Sequence, residues 1–148
     1  MFLKPEKRRN TLQRTIIIAS HHRLAEGMTD TLKYIINSSC SIKYLNGYMS
    51  NVSIEKDVQK LMSNVHKQDE VFIFTDILAG SVNQAFMPYM SSHIHLITGM
   101  NLPLIMSFIL DPNKGYLTDS DIKKHVEEAK KAIIYVNDFK VNDDDDDE

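Results

Sequence analysis

Thr15-Ile16-Ile17-Ile18-Ala19 constrains this chain more than any other stretch, because it leads without a break into Ser20-His21-His22-Arg23-Leu24-Ala25-Glu26-Gly27. Consecutive small and β-branched apolar residues without alternation fit a short strand covered on both faces, as in a parallel sheet. The polar turn from Ser20 to Arg23 then lies at the strand's carboxyl end, and a helix follows it. In open α/β sheets that edge collects ligands and chemistry, since the next helix points its N-terminal N–H groups there. His21 is therefore the first candidate for chemistry.

The rest of the chain repeats this alternation. Leu24, Met28, Leu32, Ile35 and Ile36 recur at helical spacing, and Gly27 within that helix is expected to let it approach the sheet closely. Asn37-Ser38-Ser39 ends the helix, and Ser41 to Leu45 reads as a second strand. Gly47 to Ser53 is a loop, with Ser53 placed to cap a helix through about Lys67. Val71 to Thr75 is a third unalternating strand that ends at Asp76, followed by a turn through Ser81 and a helix from Val82 to Met90. His93 to Thr98 forms a fourth strand, and Pro103 stands in the first turn of a helix through about Leu110, where its missing N–H costs little. Asp111 to Gly115 is an exposed turn, Thr118 to Lys131 a charged amphipathic helix, and Ala132 to Val136 a candidate fifth strand. Four strand–helix alternations imply a parallel sheet with right-handed crossovers, hence a doubly wound, three-layer α/β domain.

At 148 residues one domain is the natural expectation, and its 43% hydrophobic and 25% charged residues are ordinary for a globular protein. The net charge of −3 argues against a nucleic-acid binder but hides an asymmetry. Lys4, Lys7, Arg8, Arg9 and Arg14 give a flexible basic arm over residues 1–14, and residues 142–148 form a disordered acidic tail around the domain at 15–141. Without the six tail charges the body carries about +3. That is either a solvated surface or a mildly basic face for an acidic or phosphorylated partner. No apolar run approaches the roughly 20 residues of a membrane span. The start lacks the apolar core of a secretory signal, and Cys40 alone forms no internal disulfide, so a cytoplasmic location is expected.

If the strands are ordered 2-1-3-4, strands 1 and 3 lie roughly 4.8 Å apart and bring His21 and Asp76 together at the switch point. A carboxylate that accepts the N–H of one imidazole nitrogen fixes the tautomer and leaves the other nitrogen free as a nucleophile. Ser20, Gly80 and Ser81 are the candidate phosphate-binding residues, through hydroxyls and backbone N–H groups. Arg23 and Met100 border the site. His22 is expected to point away into solvent. His93 and His95 share a sheet face without an acidic or thiol partner at ligand spacing, so they read as strand-surface histidines and no metal or other cofactor is expected. His66 and His125 read as solvent-facing helix residues.

Thr-x-x-x-Ser-His with Leu-Ala-x-Gly, then Phe-x-x-x-Asp-x-x-x-Gly-Ser, then Gly-x-Asn-Leu-Pro resembles the mannose-family EIIA domains of the bacterial phosphoenolpyruvate-dependent sugar phosphotransferase system. The resemblance runs from about Thr15 to Val136. It implies that His21 takes a phosphoryl group from the phosphocarrier protein HPr and passes it to an EIIB component, with Asp76 orienting the ring. Gly80 and Ser81 match the end of the family's Gly-Gly-Ser-Pro turn, and Asn101-Leu102-Pro103 its Asn-x-Pro segment, which implies that Asn101 and Pro103 border the site. These domains are similar in being homodimers whose last strand pairs antiparallel with the partner's sheet, which makes Ala132 to Val136 the segment to do so here. The chain departs from the pattern at Ala79 and Val82, which replace a glycine and a proline, and at His22, where glycine is common.

Two alternatives follow from the same residues. One is a phosphoryl donor to dihydroxyacetone kinase, of similar fold and histidine. The other is a regulatory binding module without turnover, for which Ala79 and Val82 are the support. A flavodoxin-like nucleotide binder is disfavoured by the lack of a loop of several glycines.

Overall fold

The computed structural model describes residues 12–139. The acidic tail and the arm up to residue 11 lie outside the described residues. The elements in chain order are β1 (Arg14–His21), α1 (Leu24–Ile35), β2 (Ser41–Gly47), α2 (Ile54–Met62), β3 (Glu70–Thr75), α3 (Ser81–Phe86), β4 (Ile94–Thr98), α4 (Leu102–Ile109) and α5 (Asp119–Lys131). Single 3-10 turns follow α3 at Met87–Tyr89 and α5 at Val136–Asp138.

The four strands form one parallel sheet in the order β2-β1-β3-β4, as expected. Side chains alternate across a strand, so successive residues of β1 serve different layers. Ile16 and Ile18, with Phe72 and Phe74 of β3, pack against Leu32 of α1, Leu104, Ile105 and Phe108 of α4 and Ala129 of α5. Ile17 and Ala19, with Val71 and Ile73, pack against Ile54, Val58 and Met62 of α2 and Val82 and Phe86 of α3. Burial on both faces explains why these strands lack a polar side, and each fully buried side chain of this size contributes about 1.5–3 kcal/mol.

The helices start where the sequence supplies caps. Ser53 Oγ accepts the Lys56 N–H, Asn101 Oδ1 accepts the Leu104 N–H, and Thr118 with Asp121 forms a reciprocal capping box.

Three expectations are corrected. Arg14 belongs to β1 and not to the arm: its Nε lies 2.8 Å from Oε1 of the fully buried Glu70, and its Nη2 donates to the carbonyls of Asn113 and Gly115. Leu117 N–H donates to Glu70 Oε2 at 2.6 Å, so this pair ties β1 and β3 to the segment before α5. Gly27 is exposed, and a Cβ added there would meet nothing within 4 Å, so it does not serve close packing on the sheet. His125 is packed inward on Phe108, with Nε2 at 2.6 Å from Asp111 Oδ2. Within the chain, Ala132 to Val136 forms no strand, because no described strand lies beside it to complete a ladder.

Candidate functional site

The site stands where β1 and β3 end. Ala19 pairs with Thr75, where β3 ends, while Ser20 and His21 continue β1 beside Asn46 and Gly47 of β2, so His21 and Asp76 come together at this edge. Alternation sends Ser20 to the α1 layer and His21 to the α2/α3 layer.

Asp76 binds His21 twice. Its Oδ2 accepts the backbone N–H of His21 at 2.8 Å and lies 2.8 Å from ring Nδ1. Its Oδ1 accepts the N–H of Ile77 at 3.0 Å. Burial pushes the Asp76 carboxyl up, but the His21 backbone and ring bonds outweigh it and hold the group below the usual carboxylate value. An ionised carboxylate only accepts, so Nδ1 is assigned the proton, and in that tautomer of the neutral ring the lone pair is on Nε2. The His21 side chain is 39% exposed and that of Asp76 9%, so the ring is reachable while its anchor is shielded.

The turn after Asp76 is held from α3. Thr75 Oγ1 donates to Asn83 Oδ1 at 2.8 Å, and Asn83 Nδ2 donates to the Leu78 carbonyl. This lays Gly80 against the imidazole: a Cβ at position 80 would stand 3.0 Å from His21 Cε1. Gly80 thus contributes room for the ring. Its own N–H is used by the Ile77 carbonyl at 3.1 Å and is no free donor for an anion.

Residues 15–134 match the family model of the EIIA-man domain, described as the PTS system fructose IIA component. The chain belongs to the EIIA-man family. Its fold is shared with a structure from Klebsiella pneumoniae described as a phosphoenolpyruvate-dependent sugar phosphotransferase system permease, at 33% identity and a TM-score of 0.75. That alignment covers 87% of this chain and 95% of the other. The PTS IIA protein associated with the fucose utilization operon of Streptococcus pneumoniae is 20% identical with a TM-score of 0.72, over 86% of this chain and 96% of that one. The mannose/sorbose specific IIA subunit of Enterococcus faecalis gives 13% and 0.69, over 88% and 99%. No curated protein sequence matches the chain.

The remaining candidates of this EIIA-man site are placed as follows. Ser20 is fully buried and its Oγ accepts the Ala25 N–H at 2.7 Å, which corrects its assignment to phosphate binding: it fastens the start of α1. Ser81 opens α3 with its hydroxyl hydrogen-bonded to the hydroxyl of Tyr48. Met100, Asn101 and Pro103 stand at the carboxyl end of β4, with Met100 N–H on the Thr75 carbonyl and Asn101 capping α4. Among the described residues none of the three hydrogen-bonds to His21 or Asp76. Arg23 is exposed and borders a shallow groove with Glu26, Asp30, Lys33 and Tyr44 that does not include His21. Among the described residues no three His, Cys, Asp or Glu side chains are grouped to hold a metal ion.

Two features of the EIIA-man site explain or extend the sequence reading. His22 has φ of +55°, the left-handed region that favours glycine, which accounts physically for glycine being common there in the family. Ala79 does not adopt a positive φ, so its methyl group is tolerated in this turn. Tyr48 was absent from the candidates because it follows β2 in a stretch that reads only as loop. Its ring stacks on His21 with centroids 5.4 Å apart and planes 17° from parallel. An aromatic residue after a strand-ending glycine carries no general signal of this kind.

Proposed function

We propose that this EIIA-man chain is a phosphohistidine carrier whose His21 Nε2 accepts a phosphoryl group from HPr and donates it to an EIIB component. The observation that carries the reading is the 2.8 Å contact between His21 Nδ1 and Asp76 Oδ2 at the carboxyl end of the sheet. With Nδ1 protonated and bound, the Nε2 lone pair attacks phosphorus in line. The new N–P bond forms as the donor's N–P bond breaks, and the electron pair returns to the donor ring. The positive charge that the imidazole acquires when Nε2 is phosphorylated and Nδ1 keeps its proton is balanced by Asp76. A shallow surface suits this chemistry, because the donor is a second protein's histidine and needs no enclosed pocket. Positioning and electrostatics supply the catalysis. The reaction runs in the cytoplasm, and among the described residues no helix is long and apolar enough to cross a membrane.

The test is labelling of the full chain from phosphoenolpyruvate, enzyme I and HPr, followed by addition of EIIB. The wild type takes up one acid-labile phosphoryl group and loses it to EIIB. His21→Ala remains folded and unlabelled; label persisting in that variant overturns the assignment. Transfer to dihydroxyacetone kinase in place of EIIB would redirect the same chemistry to the other acceptor.

The working form we propose is a homodimer joined through the segment after α5. Ile133, Ile134, Tyr135, Val136 and Phe139 are all exposed in the single chain, a run of large apolar side chains that a second copy's sheet would cover. Sedimentation of the wild type as a dimer, and of Ile133→Asp with Val136→Asp as a monomer, checks this.

A further inference from the structure

We propose that Tyr48 is a positioning residue for phosphoryl transfer at His21, holding the imidazole plane so that Nε2 faces the incoming phosphorus; this rests on the reading of His21 as the phosphoryl carrier. Three neighbours confine the ring. Asp76 holds it at Nδ1, the space beside Gly80 receives Cε1, and the Tyr48 ring lies parallel to one face at 5.4 Å. A hydrogen bond at Nδ1 alone fixes one point of the ring and leaves its tilt about that bond free. The flat contact with Tyr48 limits that tilt on one side, and among the described residues Nε2 makes no hydrogen bond.

Tyr48 is itself tied down. Its hydroxyl pairs with the hydroxyl of Ser81, joining the loop after β2 to the first residue of α3. The backbone adds a separate observation. Tyr48 has φ of +64°, and it and His22 are the non-glycine residues of the described chain with positive φ. The two follow His21 and Gly47, which are paired across β1 and β2, so both left-handed residues flank the reactive ring. Glycine would make the turn at position 48 without strain, but it has no ring to lay on the imidazole. Unlike at His22, the strain at position 48 accompanies a ring laid on the imidazole, which is the pattern of a functional constraint.

The phenol is also 53% exposed, so the rival account is a docking contact for the donor protein. Single-turnover transfer from labelled phospho-HPr to the full chain, measured over a range of phospho-HPr concentrations, separates the two. Tyr48→Ala is expected to lower the saturating rate about tenfold or more, with the half-saturating concentration unchanged, since misorientation acts on the transfer step. Tyr48→Phe, which keeps the stacked ring, recovers most of that rate. Tyr48→Gly, whose backbone is at ease in the left-handed turn, repeats the loss in a chain whose thermal midpoint is not reduced. A saturating rate equal to wild type in Tyr48→Ala and Tyr48→Gly overturns the proposal, as does a loss confined to the half-saturating concentration. Failure of the underlying reading looks different: the wild type itself takes no label, or His21→Ala does.

Discussion

Gly80 and His21 are in van der Waals register: the space where a side chain would begin at position 80 is closed by Cε1 of the imidazole, 3.0 Å away, and by the Ile77 carbonyl, 3.2 Å away. Gly80 has φ of −78°, so it is glycine for space and not for backbone freedom. Gly80→Ala must therefore displace either the ring or the turn. We expect transfer from phospho-HPr to fall about tenfold, with unfolding stability changed by no more than about 1 kcal/mol, because the ring can swing outward. Single-turnover kinetics and denaturant unfolding on one preparation check both halves.

Asp76 makes acid stability depend on the site. Its folded pKa is lowered, so the stabilisation is fully present above the unfolded value of about 3.9 and is lost as pH falls through the folded value. Asp76→Asn removes the titrating group. Unfolding measured between about pH 6 and pH 2 should show a shallower acid decline in the variant than in the wild type. Transfer should be slowed in the variant but not abolished, since Nε2 remains.

Glu70 is fully buried, and Arg14 is its ionic partner. Arg14→Met would leave that carboxylate with the Leu117 N–H alone. Removing one partner of a buried pair costs about 3–5 kcal/mol, so the midpoint of urea unfolding should fall clearly. The pair lies at the amino end of the strands, away from His21. Transfer per folded molecule should stay at the wild-type level at low temperature.

His22 sits in the left-handed region beside the reactive ring, yet its side chain points to solvent and makes no contact with Asp76 among the described residues. His22→Gly should raise unfolding stability by about 1 kcal/mol, since the left-handed penalty of about 1–2 kcal/mol exceeds the added chain entropy of glycine. The labelling rate should be unaltered. This is the opposite of the outcome at position 48, where the same backbone relief removes a ring that lies on His21.

Much of this arrangement was legible before any coordinates. The apolar runs Ile16–Ile18 and Val71–Phe74 lack alternation because helices cover both faces, and that reading fixed the parallel sheet and placed His21 beside Asp76. Four positions resisted. Ser20 has the chemistry of a phosphate ligand, but strand parity turns it inward, and parity depends on where the strand ends. Arg14 and His125 look like surface charges until Glu70 and Asp111, distant in sequence, arrive beside them. Tyr48 announces itself only through a fold that lays one loop across another strand's tip. Gly27 broke the other way: a glycine in a helix suggested a close approach, and the space around it is open.

The opposite facing of Ser20 and His21 makes the count of residues in β1 a chemical parameter. A deletion or insertion of one residue upstream, with the sheet otherwise kept, would rotate the hydroxyl outward and bury the imidazole against α1. This strand is therefore constrained in length as well as in its buried apolar composition. Loops elsewhere can grow, but the interval from the anchoring Arg14 to the reactive nitrogen is set by the pleat.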